Sequence, residues 1–232
     1  MTSTTVLITG ANRGIGLELT RQYLEKTDYN VISTARNINN AHDLNNLKET
    51  HRERLQVLSL DVTSDTSASN LSLELKNTDI DILINNAGIM GGAHQEFRDM
   101  DYGDWAEVLA TNSMSPMRIT EALYENLKRS KGKVVTISSQ MGAMGKEGAG
   151  RIAYRSSKSA VNKVMQCVAE DVRRDGISVM CVHPGWVQTD MGGSAADITA
   201  VESALGIRQI IEELTIEKSG CFMNWNGTEH VW

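Results

Sequence analysis

Tyr154 and Lys158 stand four residues apart, and Ser139 precedes the tyrosine by fifteen. On a helix, a separation of four puts two side chains on one face, a turn apart. A phenol with its ordinary pKa of about 10 is a weak proton donor near neutrality, and an ammonium one turn away would stabilise the phenolate and lower that value. Such a phenol can protonate the alkoxide that develops when a carbonyl carbon receives hydride. The Ser139 hydroxyl could polarise the same oxygen, and the lysine could also reach a cofactor ribose. A Tyr-x-x-x-Lys pair alone is more often a surface helix pair, so its surroundings decide the reading.

The cofactor that would deliver hydride has its own signature. Thr9-Gly10-Ala11-Asn12-Arg13-Gly14-Ile15-Gly16 follows a strand-like run and opens a helical one. The glycines permit a tight turn and the close approach of a pyrophosphate, which the free N–H groups and dipole of a helix N-terminus favour; Asn12 and Ile15 belong to the same cradle. At the end of the second strand an acidic residue would bind the 2'-hydroxyl of NAD, but the chain has Ala35-Arg36. Arg36 and Arg13 together offer cationic donors suited to a 2'-phosphate, so NADP(H) is the expected cofactor.

The elements that must position these residues follow a βαβ rhythm. Strand-like runs cover 5–9, 30–35, 55–60, 80–85, 133–138, 177–182 and 220–224, with helical segments such as 14–26 between most pairs. Right-handed crossovers and helices on both faces make this a doubly wound parallel α/β sheet of Rossmann type, with about seven strands. Val161, Val164, Val168 and Val172 continue the pattern from Tyr154 on one helical stripe, which should end near Gly176. No repeat, low-complexity tract or linker divides the 232 residues, so residues 1–232 read as one domain.

These segments, together with Asp61-Val62, Asn85-Asn86-Ala87-Gly88, Asn112, Ser138-Ser139, Tyr154-Arg155-Ser156-Ser157-Lys158 and Pro184-Gly185, resemble the short-chain dehydrogenase/reductase family in content and order over essentially the whole chain. The Tyr-Arg-Ser-Ser-Lys form and the ending around Asn224-Trp225-Asn226-Gly227 and Trp232 look most like its sniffer and C-factor branch of carbonyl reductases. The resemblance implies strand order 3-2-1-4-5-6-7 and a catalytic set of Asn112, Ser139, Tyr154 and Lys158. In that set Asn112 would hold a water linking Lys158 to solvent. It further implies that Asp61 and Val62 contact adenine, that Asn86, Ala87 and Gly88 brace the strand beside the adenosine ribose, and that Val187 and Thr189, just past Pro184 and Gly185, hold the carboxamide. Homodimers or homotetramers built on the long helices are also implied.

Two departures matter. The interval from Ser139 to Tyr154, through the glycine-rich 141–150, is longer than usual in the family, so Ser138 stays a candidate for the serine role. The loop from Gln188 to Thr199 is short and made of small residues, so the pocket should be open. Met90, Met141, Met144, Trp186 and Met191 lie just past the motif residues and would line it, suiting apolar or aromatic aldehydes, ketones or diketones. His94 reads as a surface residue and His183 as the end of a strand.

Composition narrows the partners. The net charge is −6 and no basic cluster exists, which argues against nucleic acid. Polar residues interrupt every apolar run, which argues against a membrane span, and Met1-Thr2-Ser3 passes into a strand without a leader, so a cytoplasmic protein is expected. Cys167, Cys181 and Cys221 are far apart and each sits in an apolar run, the pattern of buried reduced thiols rather than a metal site. Two alternatives stay open: oxidation of an alcohol by the same reversible relay, and a dinucleotide-binding signalling or regulatory protein.

Overall fold

Val6 and Ile8 point to one side of the first strand and Leu7 to the other, and all three are completely buried. A strand buried on both faces belongs inside a parallel sheet covered by helices. The computed structural model describes residues 3–232; Met1 and Thr2, which begin the run expected to carry no leader, lie outside the described residues.

Seven strands, β1 (Thr5–Ile8), β2 (Asn30–Ala35), β3 (Leu55–Ser59), β4 (Ile82–Asn85), β5 (Lys133–Ile137), β6 (Ser178–His183) and β7 (Cys221–Asn224), form one parallel sheet. Their order is 3-2-1-4-5-6-7, the expected Rossmann-type α/β arrangement. Three strands end a residue sooner than the sequence pattern suggested, before Thr9, Leu60 and Ser138, because the chain there turns into loops. The Thr9 hydroxyl, for instance, accepts the amides of Asn86 and Ala87. Ile80, Ile177 and Gly220 likewise precede their strands, and His183 ends β6 as expected.

The helices are α1 (Gly14–Lys26), α2 (His42–Thr50), α3 (Asp65–Glu74), α4 (Tyr102–Leu109), α5 (Ser115–Ala122), α6 (Tyr124–Ser130), α7 (Ile152–Val172) and α8 (Ala200–Glu212). Leu19 and Tyr23 of α1, Leu44 of α2 and Ile207 and Ile211 of α8 pack on the Val6 side of the sheet. Leu71 of α3, Ile119 of α5 and Val161, Met165 and Val168 of α7 pack on the Leu7 side. Each fully buried aliphatic side chain contributes roughly 1.5–3 kcal/mol of transfer free energy, so the two cores hold the sheet rigid between them. The α7 stripe is as the valine spacing implied: Val161, Val168 and Val172 are buried, Val164 packs against the same core, and after one 3₁₀ turn Gly176 takes a left-handed φ of 78°.

The cysteines correct the expectation of three buried thiols. Cys181 is buried and Cys221 half-buried, but Cys167 is exposed; all are free. Cys167 immediately precedes Val168, so it sits about 100° around α7 from the buried stripe. No helix among the described residues is long and apolar enough to cross a membrane.

Candidate active site

The first turn of α7 and the end of β5 bring the reactive groups together. Tyr154 and Lys158 are both nearly buried, one turn apart. The Lys158 ammonium donates to the Ile137 carbonyl at 2.8 Å and lies 5.7 Å from the centre of the Tyr154 ring. Burial pushes its pKa down to about 8. Burial also raises the Tyr154 phenol above its ordinary value, while the Ser139 hydroxyl and, more weakly, Arg151 pull it back. Burial therefore outweighs any lowering by Lys158, and the phenol is protonated near neutral pH.

The two serines have different partners, and of the two only Ser138 lines the cavity over the strand ends. Ser138 donates to Asn162 Oδ1 at 2.6 Å inside the core. Ser139 faces Tyr154, and its oxygen accepts the Met141 amide. The long interval behind it has a physical use at Gly142, where a Cβ would fall 2.5 Å from the Lys158 carbonyl carbon. Only glycine lets this segment press on the α7 backbone, where Ser159 donates to the Gly142 carbonyl at 2.9 Å.

Asn112 sits in a π-helical turn, Ala110–Met114, that interrupts the run from α4 to α5, the kind of irregularity that collects at functional sites. Its side chain is fully engaged: Nδ2 donates to the Ile89 carbonyl at 2.8 Å and to Ser157 Oγ at 3.0 Å, and Oδ1 accepts the Ile89 amide at 2.9 Å. The side chain is thus a clamp rather than a water ligand. The Asn112 main-chain carbonyl, by contrast, has no α-helical donor, because residue 116 is proline and has no N–H.

A cavity of about 590 Å³ runs over the C-terminal ends of the strands. Asp61 and Val62 line it after β3, Arg36 after β2, Gly10, Asn12, Arg13, Gly14 and Ile15 after β1, and Asn86, Ala87 and Gly88 after β4. Tyr154 and Lys158 complete it beside β5, and Pro184 and Thr189 beyond β6. Five expected site residues are absent from its wall: Asn112 and Ser139, held by the partners above, and Gly16, Gly185 and Val187. Gly16 is a packing residue, since a Cβ there would lie 2.4 Å from Asn86 Nδ2, and that amide in turn donates to the Thr9 and Gly10 carbonyls. Gly185 packs on Ile198 and Trp225, and Val187 is buried where its short strand pairs with Ile198.

Other expectations shift as well. Arg13 is held by Asp190 at 3.0 Å, and a second acid, Asp43, also lines the cavity. Asp61 turns its carboxylate to the Thr63 amide and hydroxyl, which lower its pKa. Of the five pocket residues read from sequence, Met191 alone lines the cavity; Met144 points outward, Met90 and Met141 are half-buried elsewhere, and Trp186 bonds to the Gly192 carbonyl. His94 is exposed beside Asp99, away from the cavity. Sequence reading missed Ile89, Asp190 and Gln95. Ile89 adjoins the Asn-Asn-Ala-Gly motif and Asp190 adjoins Thr189, so motif adjacency would have found both; Gln95 carries no such signal.

The cavity suits a dinucleotide. No side chain caps the α1 N-terminus and no acid occupies its first turn, so its N–H groups are free for a pyrophosphate. Among the described residues no cluster of His, Cys, Asp or Glu could hold a metal ion.

Comparison with known proteins agrees. The family model for short chain dehydrogenase matches residues 4–198. C-signal of Myxococcus xanthus is 38% identical over 155 residues, 66% of this chain and 93% of that protein. The carbonyl reductase Sniffer of Drosophila melanogaster superposes with a TM-score of 0.94 at 29% identity, covering all of both chains. The NADPH-bound carbonyl reductase from chicken fatty liver superposes with a TM-score of 0.92 at 32% identity, again over both whole chains. With the matched motifs lying on the same cavity, the chain belongs to the short-chain dehydrogenase family.

Proposed function

We propose that this oxidoreductase uses NADPH to reduce an aldehyde, ketone or diketone to an alcohol, as one domain spanning the chain. The observation that carries this reading is the meeting of the Tyr154 phenol and the Lys158 ammonium on one cavity, with Ser139 facing Tyr154 and with Arg36, three strands away in the sheet, on the same cavity. NADPH rather than NADH is favoured because the residue after Ala35 is a cation, and the chicken liver relative was crystallised with NADPH bound.

When bound, the reduced nicotinamide supplies the hydride. Ser139 holds the carbonyl oxygen of the substrate by a hydrogen bond and polarises it. Tyr154 gives its phenolic proton to the alkoxide as that charge grows, a contribution of about 10²- to 10⁴-fold. Lys158, buried with its charge, favours the phenolate left behind and orients a ribose. Asn112 keeps Ile89 in place with its amide, and its main-chain carbonyl, which Pro116 deprives of an α-helical donor, offers an acceptor for a water through which Lys158 reaches solvent. Arg36 and Arg13 receive the 2'-phosphate, the latter after leaving Asp190.

The likeness to C-signal supports one competing reading, a dinucleotide-binding signalling protein. A sensor needs the cleft but has no use for an acid beside it, so the intact Ser139, Tyr154 and Lys158 favour catalysis. The same reading makes the protein cytoplasmic and a homodimer or homotetramer. Tyr102, Met114 and Met117, exposed along α4 and α5, supply an apolar face for that contact.

The test is oxidation of NADPH and NADH against a panel of aromatic aldehydes, diketones and quinones, with Tyr154→Phe as control. NADPH-dependent turnover lost by a factor of about 10² or more in the variant, with NADPH binding intact, is expected. Binding without turnover on any substrate would favour the sensor.

A further inference from the structure

α7 begins without a local cap. Arg151 precedes it in a left-handed conformation, φ 49°, and makes no side-chain bond to its first turn. The N–H groups of a first turn have no partner inside the helix, and leaving them buried and unpaired is costly. Tyr154 is the third residue of this helix, and its amide donates to Gln95 Oε1 at 3.0 Å, a bond between residues 59 apart in sequence. Gln95 is itself only 2% exposed. Its Nε2 donates to the Met90 carbonyl at 2.9 Å and the Gly92 carbonyl at 2.7 Å.

The loop that Gln95 grips is the one Asn112 grips from the other side, through the amide and carbonyl of Ile89. Asn112 also donates to Ser157 Oγ, and Ser157 donates to the Tyr154 carbonyl at 2.7 Å. Both main-chain polar groups of Tyr154 are thus tied, by way of two buried carboxamides, to the segment that follows β4. Gln95 has a fixed place from which to do this. It pairs with Met100 in a two-residue antiparallel ladder, and Asp101, next along, caps α4 by accepting the Gly103 and Asp104 amides. Glu96, its neighbour, accepts the Arg151 amide at 3.2 Å.

We propose that Gln95 is a positioning residue for Tyr154: it sets the distance between the catalytic phenol and the β4 loop that walls the cavity, and it acts through the Tyr154 amide. The proposal rests on the reading of Tyr154 as the proton donor. Misplacing a reacting group by about 1 Å can cost on the order of 10²-fold in rate, so loss of this tie should appear in kcat. The glycine-rich turn and Arg36, the proposed phosphate site, are not touched by the Gln95 side chain.

Gln95→Met keeps the shape and removes every hydrogen bond; Gln95→Glu keeps an acceptor for the Tyr154 amide. The experiment compares both with the wild type by hydrogen exchange over residues 151–158, by NADPH fluorescence titration and by kcat on the best substrate of the panel. In Gln95→Met the exchange should quicken and kcat should fall about 10- to 100-fold, while the Kd for NADPH stays within about twofold. Gln95→Glu, once its buried carboxyl is protonated, accepts the Tyr154 amide with one oxygen and donates to a loop carbonyl with the other, so assays at acidic pH should recover slow exchange and part of the lost kcat. Unchanged exchange, unchanged kcat, a loss of NADPH binding that matches the loss of rate, or no recovery in Gln95→Glu would each overturn the proposal. A wild type that binds NADPH but turns over nothing would instead overturn the reading of Tyr154, and the proposal with it.

Discussion

The guanidinium of Arg13, in the glycine-rich turn, meets the carboxylate of Asp190, in the segment behind Pro184, at 3.0 Å, joining two walls of the cavity. The side chains are 66% and 77% exposed, and a pair so open to water contributes about 0–1 kcal/mol. A 2'-phosphate dianion can therefore take the arginine. Asp190→Asn removes the competitor, so the Kd for NADPH should fall about two- to fivefold while that for NADH stays put, and the gain should shrink with added salt. Fluorescence titration of both cofactors at low and high salt checks this. Equal gains for both would mean that the pair restrains the loop rather than competing for the phosphate.

Arg36, the second residue proposed to hold the 2'-phosphate, has no carboxylate bonded to it among the described residues. Its replacement, Arg36→Asp, exchanges an attractive charge for a repulsive one and places an acid where a 2'-hydroxyl could use it. The ratio of kcat/KM for NADPH to that for NADH should drop by about 10- to 100-fold, the range of one or two charge-assisted hydrogen bonds. An unchanged ratio in steady-state kinetics would move the phosphate site away from β2.

Lys158 is a buried base whose pKa is lowered to about 8. Below that pH it is charged in both the folded and unfolded chain, and the folded state bears the full desolvation cost. Between about 8 and 10.5 the folded chain has released the proton and the unfolded chain has not, so the cost fades as pH rises. Lys158→Met should be the more stable protein near pH 7, by up to about 3 kcal/mol, and nearly inactive. Urea unfolding should show the gap narrowing from pH 8 upward; a gap independent of pH would mean that the lysine is not charged inside the fold.

His183, buried at the end of β6, titrates in the opposite region. Burial and the nearby His230 push it down to about 4, so it is neutral when folded and gains a proton on unfolding below its ordinary 6.5. The stability this gives is complete above about pH 6.5 and is lost as pH falls toward 4. Guanidinium unfolding at intervals across that range should show wild-type stability declining more steeply than that of His183→Phe.

Much of this site was legible in the sequence because it is periodic or local. The seven strands followed from apolar runs, their order from the family resemblance, and the shared face of Tyr154 and Lys158 from a four-residue spacing. The serine ambiguity was real: nothing local in the sequence says that Asn162, 24 residues on, takes Ser138 while Ser139 faces Tyr154. Gln95 could not be found this way, since a lone glutamine in a polar loop has no period and its partner lies 59 residues off. The methionine wall failed for a similar reason: being close to a motif in sequence does not fix which way a loop side chain turns. Cys167 was readable, because the valine stripe itself leaves it on the outer face of α7.

Gly142, pressed on α7 beneath Lys158, divides the stretch after Ser139 into an anchored half and a free one. Residues 144–149 beyond it are all exposed. Ser139 precedes that outer arc, and Gly142, not the arc, presses on α7 at Lys158, so the arc's exposed residues can be exchanged without moving Lys158. Here the fold separates what must be inherited unchanged from what selection is free to vary, and new substrates can be acquired on the outer arc while the old chemistry is kept.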